Sequence, residues 1–122
     1  MVETRASPGR GRLMMTFKGH ILDSELERAE QQLLEKALPR LAPGFDMISD
    51  VSGAETLSPA VADRIRRMGR LIVAAGLRRH VRVVGRSGQA ALQFQRISRA
   101  AGYDSRLAYS LAEAEELLDG PR

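Results

Sequence analysis

What most limits the folds open to this chain is a repeated change of apolar period, from two residues to between three and four. Leu13, Met15 and Phe17 alternate with Met14, Thr16 and Lys18, which predicts a strand over residues 13–21 with one face buried. Leu26, Ala29, Leu33, Ala37 and Leu41 then recur at helical spacing. Short apolar runs over 45–51, 80–85 and 105–109 read as three more strands, and each leads into a helical stripe. The clearest stripe is Val61, Ile65, Met68, Ile72 and Ala75. The others are Ala90, Leu92, Phe94, Ile97 and Ala101, then Leu111, Ala114, Leu117 and Leu118.

Turn and cap residues punctuate the pattern where the backbone needs them. Residues 2–5 form a short strand that Ser7, Pro8, Gly9, Arg10 and Gly11 turn back into the next as a hairpin. Ser24 with Glu27, and Ser110 with Glu113, match capping boxes, in which each side chain satisfies a free backbone N–H. Ser58 precedes Pro59 as an N-cap before a first-turn proline, and Gly76 and Gly102 stand at helix stops. Pro39 ends or distorts the first helix, and Pro43 with Gly44 closes that segment. The order is β-β-α-β-α-β-α-β-α. It predicts an α/β fold with a mixed, mostly parallel sheet of four to five strands and about four helices.

Composition narrows the function. With 122 residues, one domain over 1–122 is expected, residues 1–12 being its opening strand and turn and 120–122 a frayed end. Tryptophan is absent and Phe and Tyr are few, so the core must be aliphatic. There is no cysteine, which excludes disulfides, thiolate metal sites and a cysteine nucleophile. No run reaches the ~18 apolar residues of a membrane span, so a cytoplasmic chain is expected. Charge is unevenly placed: residues 64–106 carry eleven Arg and one acid, Asp104, whereas residues 23–35 carry Asp23, Glu25, Glu27, Glu30 and Glu35 against Arg28. Such a split fits an acidic partner surface, a nucleic acid, or the pairing of two faces of one fold.

Several short motifs, in order, resemble the STAS family, the sulfate-transporter and anti-sigma-factor-antagonist domain. They are Phe17-Lys18-Gly19-His20-Ile21-Leu22-Asp23, Met47-Ile48-Ser49-Asp50-Val51-Ser52-Gly53-Ala54, and Gly76-Leu77 followed by Val81-Arg82-Val83-Val84-Gly85. Ala101-Gly102-Tyr103 and Tyr109-Ser110-Leu111-Ala112-Glu113-Ala114 complete the set, and the likeness covers residues 2–119. The resemblance implies a protein-interaction module of a bacterial signalling or partner-switching complex, acting as an anti-sigma-factor antagonist or scaffold. Its partner would be a protein with an acidic surface, such as a serine kinase, an anti-sigma factor or a signalling scaffold, and a homo-oligomer is compatible with it. The family places a phosphorylatable serine at the start of the second helix, where the helix dipole favours phosphate. Here that stretch reads Leu57-Ser58-Pro59-Ala60, so the usual acceptor position holds Pro59 or Ala60, and the switch is lost or displaced to Ser58 or Thr56.

The candidate sites follow. On the second helix, the face opposite Ile65 and Met68 holds Pro59, Asp63, Arg66 and Arg70, flanked by Arg67, Val73 and Ala74. Arg66, Arg67, Arg70 and Asp63 are the expected partner contacts, because guanidinium tolerates desolvation and pairs with two oxygens. Gly85, Arg86, Ser87, Gly88 and Gln89 form a glycine-rich turn between strand and helix, where Arg86 and Ser87 would touch an anionic nucleotide or phosphate. Nucleic-acid binding through the Arg-rich face is a further alternative, weakened by the scarcity of aromatic residues there, Phe94 and Tyr103. Two histidines, His20 and His80, are too few for a metal site. Asp50 is expected to organise the loop after its strand. No triad or paired-carboxylate spacing stands out, so neither catalysis nor a cofactor is expected.

Overall fold

Two of the helices begin where a serine closes the first turn. The computed structural model describes residues 1–85 and 88–120. Helix α2 (Pro59–Ala74) starts with the Ser58 hydroxyl accepting from the Val61 N–H at 3.3 Å. In α4 (Leu111–Asp119), Ser110 Oγ accepts from the Glu113 N–H at 3.0 Å, and the Glu113 carboxylate takes the Tyr109 N–H at 3.2 Å. Helix α1 (Asp23–Gln32) corrects the expected Ser24–Glu27 box. Its cap residue is Leu22, and Glu25 accepts from the Leu22 N–H at 3.1 Å. The helix starts earlier than expected because buried Ile21 anchors the entering chain, and Asp23 and Glu25 both suit the positive end of the helix dipole.

Past Gln32, α1 widens into a π turn at Leu33–Ala37 and tightens into a 3-10 turn at Leu38–Arg40, where Pro39 cannot continue the hydrogen-bond ladder. The apolar stripe nevertheless stays inside, from Leu26 through Leu33 to Leu41. Gly76 follows α2 with φ +110°, and a Cβ there would lie 2.7 Å from Pro43 Cα, so glycine is required on both counts.

The strands β1 (Val2–Ser7), β2 (Arg12–Gly19), β3 (Phe45–Ala54), β4 (Leu77–Val83) and β5 (Arg106–Ala108) lie side by side in sequence order. β1 pairs antiparallel with β2, and the remaining pairs are parallel. The α/β class, the mixed sheet and the four helices thus agree with the sequence reading. Strand β4 starts at Leu77, earlier than expected, because Leu77 already pairs with Phe45.

Strands laid down in order with crossovers of one hand put the connecting helices on one face. The buried residues of α1, α2 and α3 (Gly88–Ala101) accordingly share one core with Leu13, Met15, Phe17, Met47 and Val51. Helix α4 follows the last strand and has no crossover to complete. It folds onto the opposite face, where Ala114 and Leu118 cover Ile48, Val81, Val83 and Ala108.

Candidate protein-interaction surface

Three fixed points shape the region where β3 feeds α2. Asp50 Oδ1 accepts from the Ser52 N–H at 3.0 Å and the Ser52 hydroxyl at 2.6 Å, so it organises this loop as expected. Leu57 is buried as an anchor, and the Gln93 side chain of α3 clamps its backbone, accepting from its N–H at 2.8 Å and donating to its carbonyl at 3.0 Å. The Ser58 cap is the third. Between these points Glu55, Thr56, Ser58 and Pro59 are exposed on a loop of defined shape. Both displaced acceptor candidates, Ser58 and Thr56, are therefore at the surface.

Helix α2 continues that surface as a stripe of exposed residues: Ala60, Asp63, Arg67, Arg70, Leu71 and Ala74. The structure brings Asp63, Arg66, Arg67 and Arg70 together, but the centre of the face is shifted. Arg66 is only partly exposed and Leu71 joins the exposed set. The cause is packing on both flanks. On one side Gly69 lets α3 come close, a Cβ there standing 3.0 Å from Ala101 Cβ and 3.3 Å from the Tyr103 ring. On the other, Arg64 ties α2 to α1 through Asp23 at 2.8 Å and Glu30 at 3.4 Å.

Within the stripe, Asp63 holds Arg66 at 2.6 Å and Arg67 at 3.5 Å. The hydrogen bond from Arg66 keeps the Asp63 carboxyl below its usual range, against an opposing desolvation, and the charges of Arg66, Arg67 and Arg70 add to the lowering. Among the described residues, Arg70 makes no ion pair. Three guanidiniums against one carboxylate leave the stripe cationic, and Ala60, Leu71 and Ala74 give it an apolar component. Arginine set among small apolar side chains is a common composition for protein interfaces.

Other expected sites are dispersed. Arg86 and Ser87 lie outside the described residues. His20 is exposed at the end of β2, whereas His80 is buried within β4 and not at its mouth. Among the described residues, no three His, Cys, Asp or Glu side chains gather to hold a metal ion. Much of the Arg-rich segment is paired within the fold: besides Arg64, Arg79 meets buried Asp46 at 2.6 Å and Arg78 meets it at 3.5 Å. Burial of Asp46 works to raise its pKa, but hydrogen bonds from Arg79 and Arg78 prevail and lower it.

The sequence reading missed a polar inlay in the main core. His80 Nε2 meets Ser49 Oγ at 2.7 Å and its Nδ1 meets Ser105 Oγ at 2.6 Å, while the ring stands edge-on to Tyr103 at 5.1 Å. Burial, aided by the charge of nearby Arg82, pushes the His80 pKa down to about 3, so the ring is neutral at ordinary pH. Arg82 itself donates to the Phe94 carbonyl at 3.1 Å and to Ser98 Oγ at 2.9 Å. A signal was present: His80 and Arg82 alternate with Val81 and Val83 in a strand expected to be covered on both faces.

No family model matches the chain, and no curated protein does. Among solved structures, it is similar to a protein of the DUF3478 family from Shewanella loihica PV-4, described as having a SpoIIAA-like fold. The two superpose with a TM-score of 0.64 over 97% of this chain and 92% of that one, at 15% sequence identity. This chain shares that fold. It is the architecture to which the STAS resemblance points, and the likeness speaks to fold alone. Among the described residues, no helix is long and apolar enough to cross a membrane.

Proposed function

We propose that this chain is a protein-interaction module of STAS type, working without catalysis in a bacterial partner-switching or signalling complex as an anti-sigma-factor antagonist or scaffold. The observation that carries the reading is the exposed α2 stripe of Asp63, Arg67, Arg70 and Leu71, set beside a loop that Gln93 and Asp50 hold in one shape. A surface held in shape before binding loses less conformational entropy on docking. Its cationic character selects a partner with an acidic surface and speeds encounter with it.

Ser58 serves first as the cap of α2, and Pro59 occupies the next position. A phosphate on Ser58 would sit at the positive end of the helix, beside the partner-facing stripe, and would repel an acidic partner. Regulation by phosphate thus belongs to Ser58 or Thr56.

The test is affinity capture from the native cell with the wild-type chain and with Arg66→Glu, Arg67→Glu and Arg70→Glu combined. A partner lost from the triple variant, and held by wild type less firmly as salt rises, supports the reading. A partner retained equally by both chains contradicts it.

A further inference from the structure

We propose that the cleft between α3 and β5 binds a small monocarboxylate, held by the Arg82 guanidinium at its floor. This site is separate from the α2 stripe and does not rest on the interaction reading.

Arg82 is 2% exposed and stands in the middle of the main core face. A buried cation normally has an anion beside it, because removing an unpaired charge from water costs several kcal/mol. Among the described residues, no carboxylate pairs with Arg82. Its hydrogen bonds go to the Phe94 carbonyl and Ser98 Oγ, both uncharged, and Ser98 Oγ donates onward to the Gln95 carbonyl. The Arg82 Nε–H is buried with no acceptor among the described residues. The neighbouring His80 is neutral and Tyr103 is a phenol, so neither supplies the missing negative charge.

Arg82 is also where two spaces meet. Inward lies an apolar cavity of about 20 Å³ beside Met15, Met68 and Phe94, which has room for one water and no more. Outward lies a cleft of about 150 Å³, lined by Gln95, Ser98, Arg99, Asp104 and Ser105 as well as Arg82. The cleft exists because α3 covers β4 but leaves the three-residue edge strand β5 partly bare, with Leu107 50% exposed.

Size and charge set the ligand class. At the same ~10–15 Å³ of accessible space per water, the cleft holds on the order of ten waters, room for an acid of a few carbon atoms. Arg82 and Arg99 outnumber Asp104 by one charge, so a single negative charge balances the site and a dianion would be repelled by Asp104. Pairing within a low-dielectric wall makes a contact to Arg82 stronger than the same contact at an exposed arginine.

The experiment is an NMR titration of the full chain with sodium propionate, against sodium chloride at equal ionic strength and against inorganic phosphate. We expect saturable shifts at the Ser98, Arg99, Ser105 and Leu107 amides with a millimolar midpoint, and an affinity about tenfold or more weaker in Arg82→Met. Should Arg82→Met not fold, Arg99→Glu, a change at an exposed position, must weaken the same titration. Shifts that chloride reproduces would mean a general response to anions or ionic strength, and would overturn the proposal. Tighter binding of phosphate than of propionate, or propionate binding unchanged in the variants, would overturn it too.

Discussion

On the face under α1, α2 and α3, a broad apolar core surrounds two polar groups, His80 bonded to Ser49 and Ser105, and Arg82 bonded to Ser98. On the α4 face the arrangement is reversed. A small apolar patch of Ile48, Val81, Val83, Ala108, Ala114 and Leu118 is bounded by ions, with Arg12 on Asp119 at 2.6 Å and Arg79 on both Asp46 and the Leu118 carbonyl. The difference teaches where each face is sensitive. Polar groups enclosed by hydrocarbon respond to protonation, whereas ion pairs with one member reaching solvent, Asp119 and Arg79 here, respond to salt.

The comparison can be broken first with pH. The His80 pKa is about 3 in the folded chain and about 6.5 when unfolded, so the unfolded state binds the extra proton between those values. Stability is therefore full above pH ~6.5 and falls as pH drops towards 3, by roughly 1.4 kcal/mol per unit and on the order of 5 kcal/mol in all. Urea unfolding at pH 7 and pH 5 measures it, and His80→Gln should flatten the slope. An equal slope in that variant would contradict this account, because the rim carboxylates Asp46 and Asp119 are held below the usual range and stay ionised between pH 7 and pH 5.

Cavity-forming changes come next. Phe94→Ala, which removes the ring packed 5.0 Å from Phe17, should cost about 3–5 kcal/mol. Leu118→Ala at the α4 rim should sit near the low end for its type, about 2 kcal/mol, because the helix end can settle into the space. Equal costs would erase the distinction between the faces. Asp46→Asn leaves Arg79 only partly solvated and should cost about 1–3 kcal/mol, a penalty that shrinks in high salt. At the bottom of the scale, Arg67→Ala and Arg70→Ala should change stability by no more than about 0.5 kcal/mol, since both are exposed.

The order of elements was legible because each element carries its own apolar period and two of the helices carry a serine cap. Val61, Ile65, Met68 and Ile72 are all buried in α2, and Ser58 and Ser110 both cap. The start of α1 was misread because a local pattern, Ser24 with Glu27, fitted a rule that the buried anchor at Ile21 overrode. The α2 stripe was legible to within about one residue on the 100° wheel, its offset coming from α3 at Gly69 and α1 at Arg64, which no single-helix projection contains. Gln93 and Arg82 were not legible as site residues. Their roles depend on contacts across 36 and 16 positions of sequence, to Leu57 and Ser98.

The claim most in need of a direct test is that α2 and the loop before it face the partner. Hydrogen exchange on the chain bound to its captured partner, compared with the free chain, reads this out peptide by peptide. The account predicts slowed exchange over residues 55–74 and little change over α4. Protection confined to α4 or β1, with α2 exchanging as in the free chain, would contradict it.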